Sequence, residues 1–187
     1  MSRIKKSNLY QYLADNYGIQ TSIPQTMLTN FKPLDQDEFG GSLDCSLVSI
    51  TAVRSYKTNF RETPEDIYPK VVKNAEKCLY TPELFGTIPV FIRKIIDKTF
   101  NVKSKFKCFK GIGFTFKDIT HQIDSRNPVI LSMLNDGRNY YKSHSIVVVG
   151  YLKTNQTNML VIYDNWVKEV SFLDYNKLSR FSCINYF

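Results

Sequence analysis

The sequence has few histidines and cysteines and lacks any long apolar run. It contains two histidines and four cysteines among 187 residues. No two cysteines form the closely spaced pair that a zinc ribbon uses, so we expect neither a zinc site nor a disulfide scaffold and predict reduced thiols. The longest apolar runs, such as 146–149, fall far short of the roughly 18 residues that a membrane-spanning helix needs. The sequence therefore predicts no metal, no cofactor and no membrane span.

The amino terminus carries basic residues, but no apolar stretch follows them. A secretory signal peptide requires such a stretch, and its absence predicts a cytoplasmic protein. The net charge of +8 could suit a nucleic acid or an acidic membrane. However, Lys103, Lys105 and Lys107 alternate along a predicted strand without the aromatic residues of an RNA-binding sheet, and lysines on an edge strand also prevent edge-to-edge association. We therefore expect no nucleic-acid partner.

The composition, with 43% hydrophobic and 22% charged residues, is typical of a folded globular chain. Residues 1–35 are predicted to form an N-terminal arm with a short helix at 8–17, and residues 36–187 are predicted to form one domain. Residues 19–43 hold prolines and glycines with little periodicity, which favours a long irregular segment. A segment of this kind in a small domain is often functional.

The order of the predicted elements indicates an α+β fold. Helices are expected to begin near Cys45, Thr63, Thr87 and Thr115, and Asp44 lies at the N-cap position of the first of these. Strands with a two-residue period or a short apolar run follow at 102–108, 129–134, 144–151, 159–166, 170–173 and 181–187. Helices packed on a C-terminal antiparallel sheet account for this order.

Three residues of this pattern suit nucleophilic catalysis. His144 opens a strand that is apolar on both faces, Asp164 lies near the end of the next strand, and a hairpin centred on residue 154 would pair them. Cys45 lies at a helix N-terminus, where the helix dipole lowers the thiol pKa. Asn165 is an alternative to Asp164 as the group that orients the histidine. Taken singly, each side chain could instead pack, cap a helix or start a turn.

The chemistry of acyl transfer requires this combination of groups. A thiol nucleophile needs a base within hydrogen-bond reach, a group that fixes the tautomer of the base, and donors for the tetrahedral oxyanion. Cys45, His144 and Asp164 meet the first two needs by residue type and expected position, and no metal is required.

These residues resemble the papain-like cysteine peptidases, especially the bacterial peptidase C39-like branch. The resemblance is carried by Asp44–Cys45, by the strand 144–151 and by 164–166, in the family's order of Cys, His and Asp or Asn. It covers residues from about 36 to 187. It implies a papain-like fold in which Cys45 is the nucleophile, His144 is the general base and later the acid, and Asp164 orients the imidazole.

Two departures from the family's pattern concern the oxyanion site. Ser46 stands where a glycine usually follows the cysteine, and Phe39 stands where the oxyanion glutamine is expected. Gln36, nine residues before Cys45, is the tentative replacement for that glutamine. Without it, the Cys45 backbone N–H alone would hold the oxyanion, and the loss of one donor costs about 10²–10³ in rate.

The sequence therefore leaves three hypotheses open. The first is a thiol hydrolase that cleaves a peptide or a related amide. The second is a weak or inactive C39-like module that binds a peptide or protein partner. The third is an acyltransferase that uses the same three residues and passes the acyl group to an amine.

Overall fold

The computed structural model describes residues 3–41, 43–80, 86–134 and 143–187. Within these ranges the α-helices are Leu9–Tyr17 (α1), Gln36–Phe39 (α2), Cys45–Lys57 (α3), Pro64–Ala75 (α4), Pro89–Phe100 (α5) and Phe116–Asp124 (α6). The strands are Ile4–Lys5 (β1), Gln25–Met27 (β2), Lys105–Cys108 (β3), Val129–Met133 (β4), His144–Lys153 (β5), Asn158–Tyr163 (β6), Ser171–Asp174 (β7) and Cys183–Tyr186 (β8).

The strands form one antiparallel sheet against which the helices pack. Its order is β1-β7-β6-β5-β4-β8-β3, and β2 pairs with β5 outside this path. Helix α3 packs against β4 and β5 in the middle of the sheet. The predicted α+β class, with helices on an antiparallel sheet, is therefore confirmed.

The N-terminal part of the chain is more ordered than its sequence suggested. Residues 19–43 contain both β2 and α2, so the expectation of a wholly irregular segment was wrong. The reason is tertiary: β2 gains its hydrogen bonds from β5, and a three-residue strand has no periodic signal of its own. Gly150 permits this close pairing, because a Cβ at that position would clash with the carbonyl oxygen of Thr26.

Strand β5 is the centre of the apolar core. The side chains of 146–149 are completely buried, in agreement with the prediction that both faces of this strand are covered. Each such valine or isoleucine contributes about 1.5–3 kcal/mol on burial. The strand is thus a firm support for His144, its first residue.

The register of the β5–β6 hairpin differs from the predicted one. Pairing of His144 with Asp164 would have placed Val147 opposite Val161, but Val147 lies opposite Tyr163. A bulge between Val148 and Gly150 adds one residue to β5. The turn is also displaced toward the carboxyl end, because Thr154 and Thr157 close it with a 3.0 Å backbone hydrogen bond.

Three of the helix starts agree with the sequence and one is displaced. Helix α3 begins at Cys45, Thr63 caps the start of α4, and Thr115 forms a capping box with Asp118 at the start of α6. The helix expected at Thr87 begins instead at Pro89, because proline fits the first helical position, where no N–H is required.

The expectation that all cysteines are reduced was wrong for two of them. Cys108 and Cys183 lie opposite each other on β3 and β8 and are joined by a disulfide. They are 75 residues apart in sequence, so only the strand pairing brings them together. Cys45 and Cys78 are free.

Strand β3 lies at one edge of the sheet and carries the lysine pattern noted in the sequence. Lys105 is exposed there, and Lys107 forms a 2.6 Å ion pair with Asp118. This location agrees with the interpretation that lysines protect a free edge.

Across the ranges that the structure describes, no helix is both long enough and apolar enough to cross a bilayer.

Candidate active site

Cys45 is the first residue of α3 and faces a small cleft. Its Sγ accepts a hydrogen bond from the backbone N–H of Ser145 at 3.3 Å. The cleft has a volume of about 120 Å³, and its apolar walls include Leu43, Met133 and Trp166. A thiol at a helix N-terminus lies at the positive end of the helix dipole, which favours the thiolate.

His144 is 6% exposed and forms a hydrogen bond with the side chain of Cys45. Its Nε2 lies 2.7 Å from the backbone carbonyl oxygen of Asp164. A carbonyl oxygen only accepts hydrogen bonds, so Nε2 must carry a proton. Nδ1 is therefore the ring nitrogen left to exchange a proton with Cys45.

The pKa values of the two side chains shift in opposite directions. Burial by itself would raise the pKa of the Cys45 thiol, but the hydrogen bond and charge of His144, together with donors from Ser145 and Ser46, lower it overall. Burial would lower the pKa of His144, but the hydrogen bond and charge of Cys45 and the Asp164 carbonyl raise it overall. Both directions favour a thiolate–imidazolium pair.

Asp164 is completely buried, and its carboxylate contacts the N-terminal arm. Oδ2 forms a 3.0 Å ion pair with Nε of Arg3, and Oδ1 accepts a 3.2 Å hydrogen bond from the backbone N–H of Trp166. The indole of Trp166 packs on the His144 imidazole, with 4.4 Å between ring centroids. Asp164 thus contacts His144 through its backbone and also shapes the turn that carries Trp166.

Asn165 joins the two elements that carry the nucleophile and the histidine. Its side-chain N–H₂ donates to the carbonyl oxygens of Cys45 at 3.1 Å and Ser145 at 3.0 Å, and to Oγ of Ser49 at 2.8 Å. Its backbone has φ of +64°, a conformation that asparagine tolerates better than most residues. The sequence suggested Asn165 only as an alternative orienter and gave no sign of this bracing contact.

Gln36, the first residue of α2, contacts the backbone of Asn165. Its backbone N–H donates to the carbonyl oxygen of Asn165 at 2.7 Å, and its side chain is 2% exposed. The side-chain Oε1 is buried, and none of the residues that the structure describes forms a hydrogen bond with it. Gln36 is not among the described residues that line the cleft beside Cys45.

Three serine hydroxyls form a chain beside the nucleophile. Oγ of Ser145 lies 2.8 Å from Oγ of Ser46 and 2.8 Å from Oγ of Ser132, and all three residues line the cleft. Ser46 is the residue that replaces the family's usual glycine. Sequence reasoning missed this chain, because its members lie on α3, β4 and β5 and meet only in the folded protein.

Across the described ranges, no cluster of three or more His, Cys, Asp or Glu side chains could hold a metal ion.

The cysteine–histidine pair, placed between a helix N-terminus and an antiparallel sheet, is the arrangement of a papain-like cysteine protease. The fold is similar to the crystal structure of UfSP from C. elegans, with a TM-score of 0.53, over 98% of this chain at 10% sequence identity. The chain spans 36% of the UfSP chain.

The family follows from the sequence match. The family model described as the Peptidase_C39 like family matches residues 28–180. The protein therefore belongs to the Peptidase_C39 like family and has a papain-like fold, as the sequence resemblance implied. No curated protein matches the chain.

Proposed function

We propose that this protein is a thiol-dependent hydrolase that cleaves a peptide or a related amide bond through an acyl-enzyme on Cys45. The observation that carries the proposal is the hydrogen-bonded pair of Cys45 and His144, with its opposite pKa shifts. A thiolate beside an imidazolium is both a nucleophile and a proton donor at neutral pH. Membership in a peptidase-like family supports the substrate class.

In the first half of the reaction, the Cys45 thiolate attacks the carbonyl carbon of the scissile amide. The resulting tetrahedral oxyanion collapses, the C–N bond breaks, and the amine takes the proton from Nδ1 of His144. A thioester on Cys45 remains. In the second half, neutral His144 removes a proton from water, the hydroxide oxygen attacks the thioester, and Cys45 leaves as the thiolate with the imidazolium restored.

Two further residues have supporting roles in this proposal. Asp164 orients the imidazole, since its carbonyl holds Nε2–H and leaves Nδ1 directed to the thiol. Gln36 supplies an oxyanion donor together with the Cys45 backbone N–H. The support for this role is the family's pattern of a glutamine before the cysteine, together with the location of Gln36 next to the Asp164–Asn165 turn, where its backbone N–H donates to the carbonyl oxygen of Asn165.

The test compares Cys45 with Cys78, the other free cysteine. Wild-type protein is treated at neutral pH with iodoacetamide or with an epoxide probe of cysteine proteases, and labelling at each cysteine is measured by mass spectrometry. Peptide hydrolysis is measured for the wild type, for Cys45→Ala and for the matched control Cys78→Ala. We expect Cys45 to be labelled first and only Cys45→Ala to abolish hydrolysis. Equal reactivity of the two thiols, with hydrolysis unchanged in Cys45→Ala, would sink the proposal.

A further inference from the structure

Arg3 lies in the N-terminal arm, yet its guanidinium reaches the turn that holds the catalytic histidine. Its Nε is 3.0 Å from Oδ2 of Asp164 and 2.8 Å from Oγ of Ser171. The arginine side chain is 14% exposed and the aspartate side chain is 0% exposed. Because this ion pair is shielded from water, dissolved salt weakens its attraction much less than that of a surface pair.

The position of Arg3 is fixed by the sheet. Strand β1 pairs with β7, with Ile4 opposite Phe172 and Lys5 opposite Ser171. Arg3 directly precedes this pairing, and continuation of the same register places it opposite Leu173. Its side chain extends along β7 from there to reach Ser171, two residues earlier in the chain and on the same face of the sheet as Leu173.

The ion pair is connected to His144 by two short routes through one turn. The carbonyl oxygen of Asp164 accepts the Nε2–H of His144, and its Oδ1 accepts the backbone N–H of Trp166, whose ring packs on the imidazole. A buried carboxylate that loses its cation must move, recruit water or take up a proton. Any of these responses displaces the carbonyl and the indole that hold the imidazole.

We propose that Arg3 is a positioning residue for His144, acting through the carboxylate of Asp164, so that the N-terminal arm completes the active site. The inference rests on the proposed function for its catalytic meaning. Arg3 lies outside residues 28–180, the part of the chain that matches the family model. The arm thus adds to this protein a support for the histidine that the matched region does not contain.

The principal readout is the NMR signal of the imidazole nitrogens, because the sequence contains only two histidines. His121 is exposed on α6 and serves as the internal reference. We expect Arg3→Ala to shift the His144 signals and their titration midpoint while the His121 signals stay unchanged. Lys5→Ala removes one positive charge from the same strand, at an exposed position, and is the matched control.

The second readout is the rate at which iodoacetamide alkylates Cys45 as a function of pH. If the loss of Arg3 displaces the imidazolium from Cys45, the thiolate is less stabilised and the thiol pKa rises. The alkylation profile of Arg3→Ala then moves to higher pH. A shift of one pKa unit reduces the rate about tenfold at pH values below the midpoint of the profile. Arg3→Lys keeps the positive charge and is expected to recover part of the loss. Lys5→Ala should follow the wild-type profile.

A double-mutant cycle with Asp164→Asn separates positioning from a general effect of the arm. In Asp164→Asn the buried charge is gone, so adding Arg3→Ala should change the His144 signals little further. Additive effects of the two substitutions would overturn the inference, as would His144 signals in Arg3→Ala that match those in Lys5→Ala. If Arg3→Ala fails to fold, the same comparison is made with Arg3→Lys, which keeps the charge but changes the geometry of the contact.

The outcomes also separate this inference from the proposed function. The NMR measurement needs neither a substrate nor a reactive thiol. A shift confined to His144 supports positioning by Arg3 even if no hydrolysis is found. Hydrolysis that depends on Cys45 but not on Arg3, with unchanged histidine signals, supports the proposed function and overturns the role of Arg3.

Discussion

His144 donates a 2.7 Å hydrogen bond from Nε2 to the backbone carbonyl oxygen of Asp164, whereas the carboxylate of Asp164 forms its ion pair with Arg3. The residue at position 164 therefore contacts the imidazole through an atom that every amino acid possesses. Its side chain acts on the shape of the turn, and its negative charge also helps to raise the pKa of the imidazole. This division of roles leads to the first prediction.

Asp164→Asn should lower kcat by about tenfold. This loss is much smaller than the roughly 10⁴-fold loss seen where a carboxylate itself holds the imidazole, because the carbonyl contact survives the substitution. The measurement is steady-state hydrolysis, with His144→Ala as the reference for complete loss of the base. A loss in Asp164→Asn as large as that in His144→Ala would mean that the carboxylate orients the histidine directly.

The rate of hydrolysis should depend on pH in a bell shape with a broad plateau. The pKa of the Cys45 thiol is lowered by His144 and that of His144 is raised by Cys45, so the ion pair exists between the two values. The rate rises as pH increases through the lowered thiol pKa and falls as pH increases through the raised imidazole pKa.

Alkylation of Cys45 needs the thiolate alone and should rise through the lower pKa without falling again. In His144→Ala the thiol keeps its donors from Ser145 and Ser46 but loses its cationic partner, so its alkylation should require a higher pH than in the wild type. An unchanged alkylation profile in His144→Ala would contradict the ion pair.

Gln36→Ala should reduce kcat by about 10²–10³ with a small change in KM, as expected when one donor to the oxyanion is lost. Gln25→Ala, at an exposed position of β2, is the matched control and should behave as the wild type. Full activity in Gln36→Ala would assign the oxyanion to the Cys45 backbone N–H and to other donors of the cleft.

Asn165→Ala should lower the free energy of unfolding by about 2–4 kcal/mol and also reduce activity. It removes the hydrogen bonds from Asn165 to buried oxygen atoms of Cys45, Ser49 and Ser145, and a buried group left unsatisfied costs about 1–3 kcal/mol. The measurement is urea unfolding followed by circular dichroism.

Asn101→Ala is the matched control for Asn165→Ala. Asn101 has φ of +52° at the end of α5 and is exposed, so its substitution carries the backbone strain without the loss of buried hydrogen bonds. Equal destabilisation by the two variants would show that the strain, and not the bracing contacts, accounts for the effect.

The sequence was informative wherever the signal is local. The uncharged run that begins at Cys45 predicted a buried helix, and the apolar run after His144 predicted a strand covered on both faces, because periodicity reflects contacts within one element. The order of cysteine, histidine and Asp-Asn-Trp placed these residues in a peptidase-like family, and the match over residues 28–180 agrees.

The sequence was uninformative wherever the signal is a contact between distant segments. The disulfide joins residues 75 positions apart. The predicted register of the β5–β6 hairpin failed because the turn lies nearer the carboxyl end than expected, with Lys153 paired to Asn158, and the bulge that follows changes the register by only one residue. The boundary between an arm and a domain at residue 36 stays a prediction, since β1 and β2 share the sheet with the rest of the chain.

The sequence by itself determined the fold class, since helix starts and apolar strands are properties of neighbouring residues, and it named Cys45, His144 and Asp164 as the candidate site by their types and their order along the chain. Only the tertiary structure decided which atoms meet. In that structure the carbonyl oxygen of Asp164 accepts a hydrogen bond from the imidazole, and the carboxylate forms an ion pair with Arg3. The side-chain amide of Asn165 donates to the carbonyl oxygen of Cys45. These pairings depend on strand register and on the packing of α3 against the sheet, and hydrogen bonds and ion pairs are sensitive to differences of less than 1 Å.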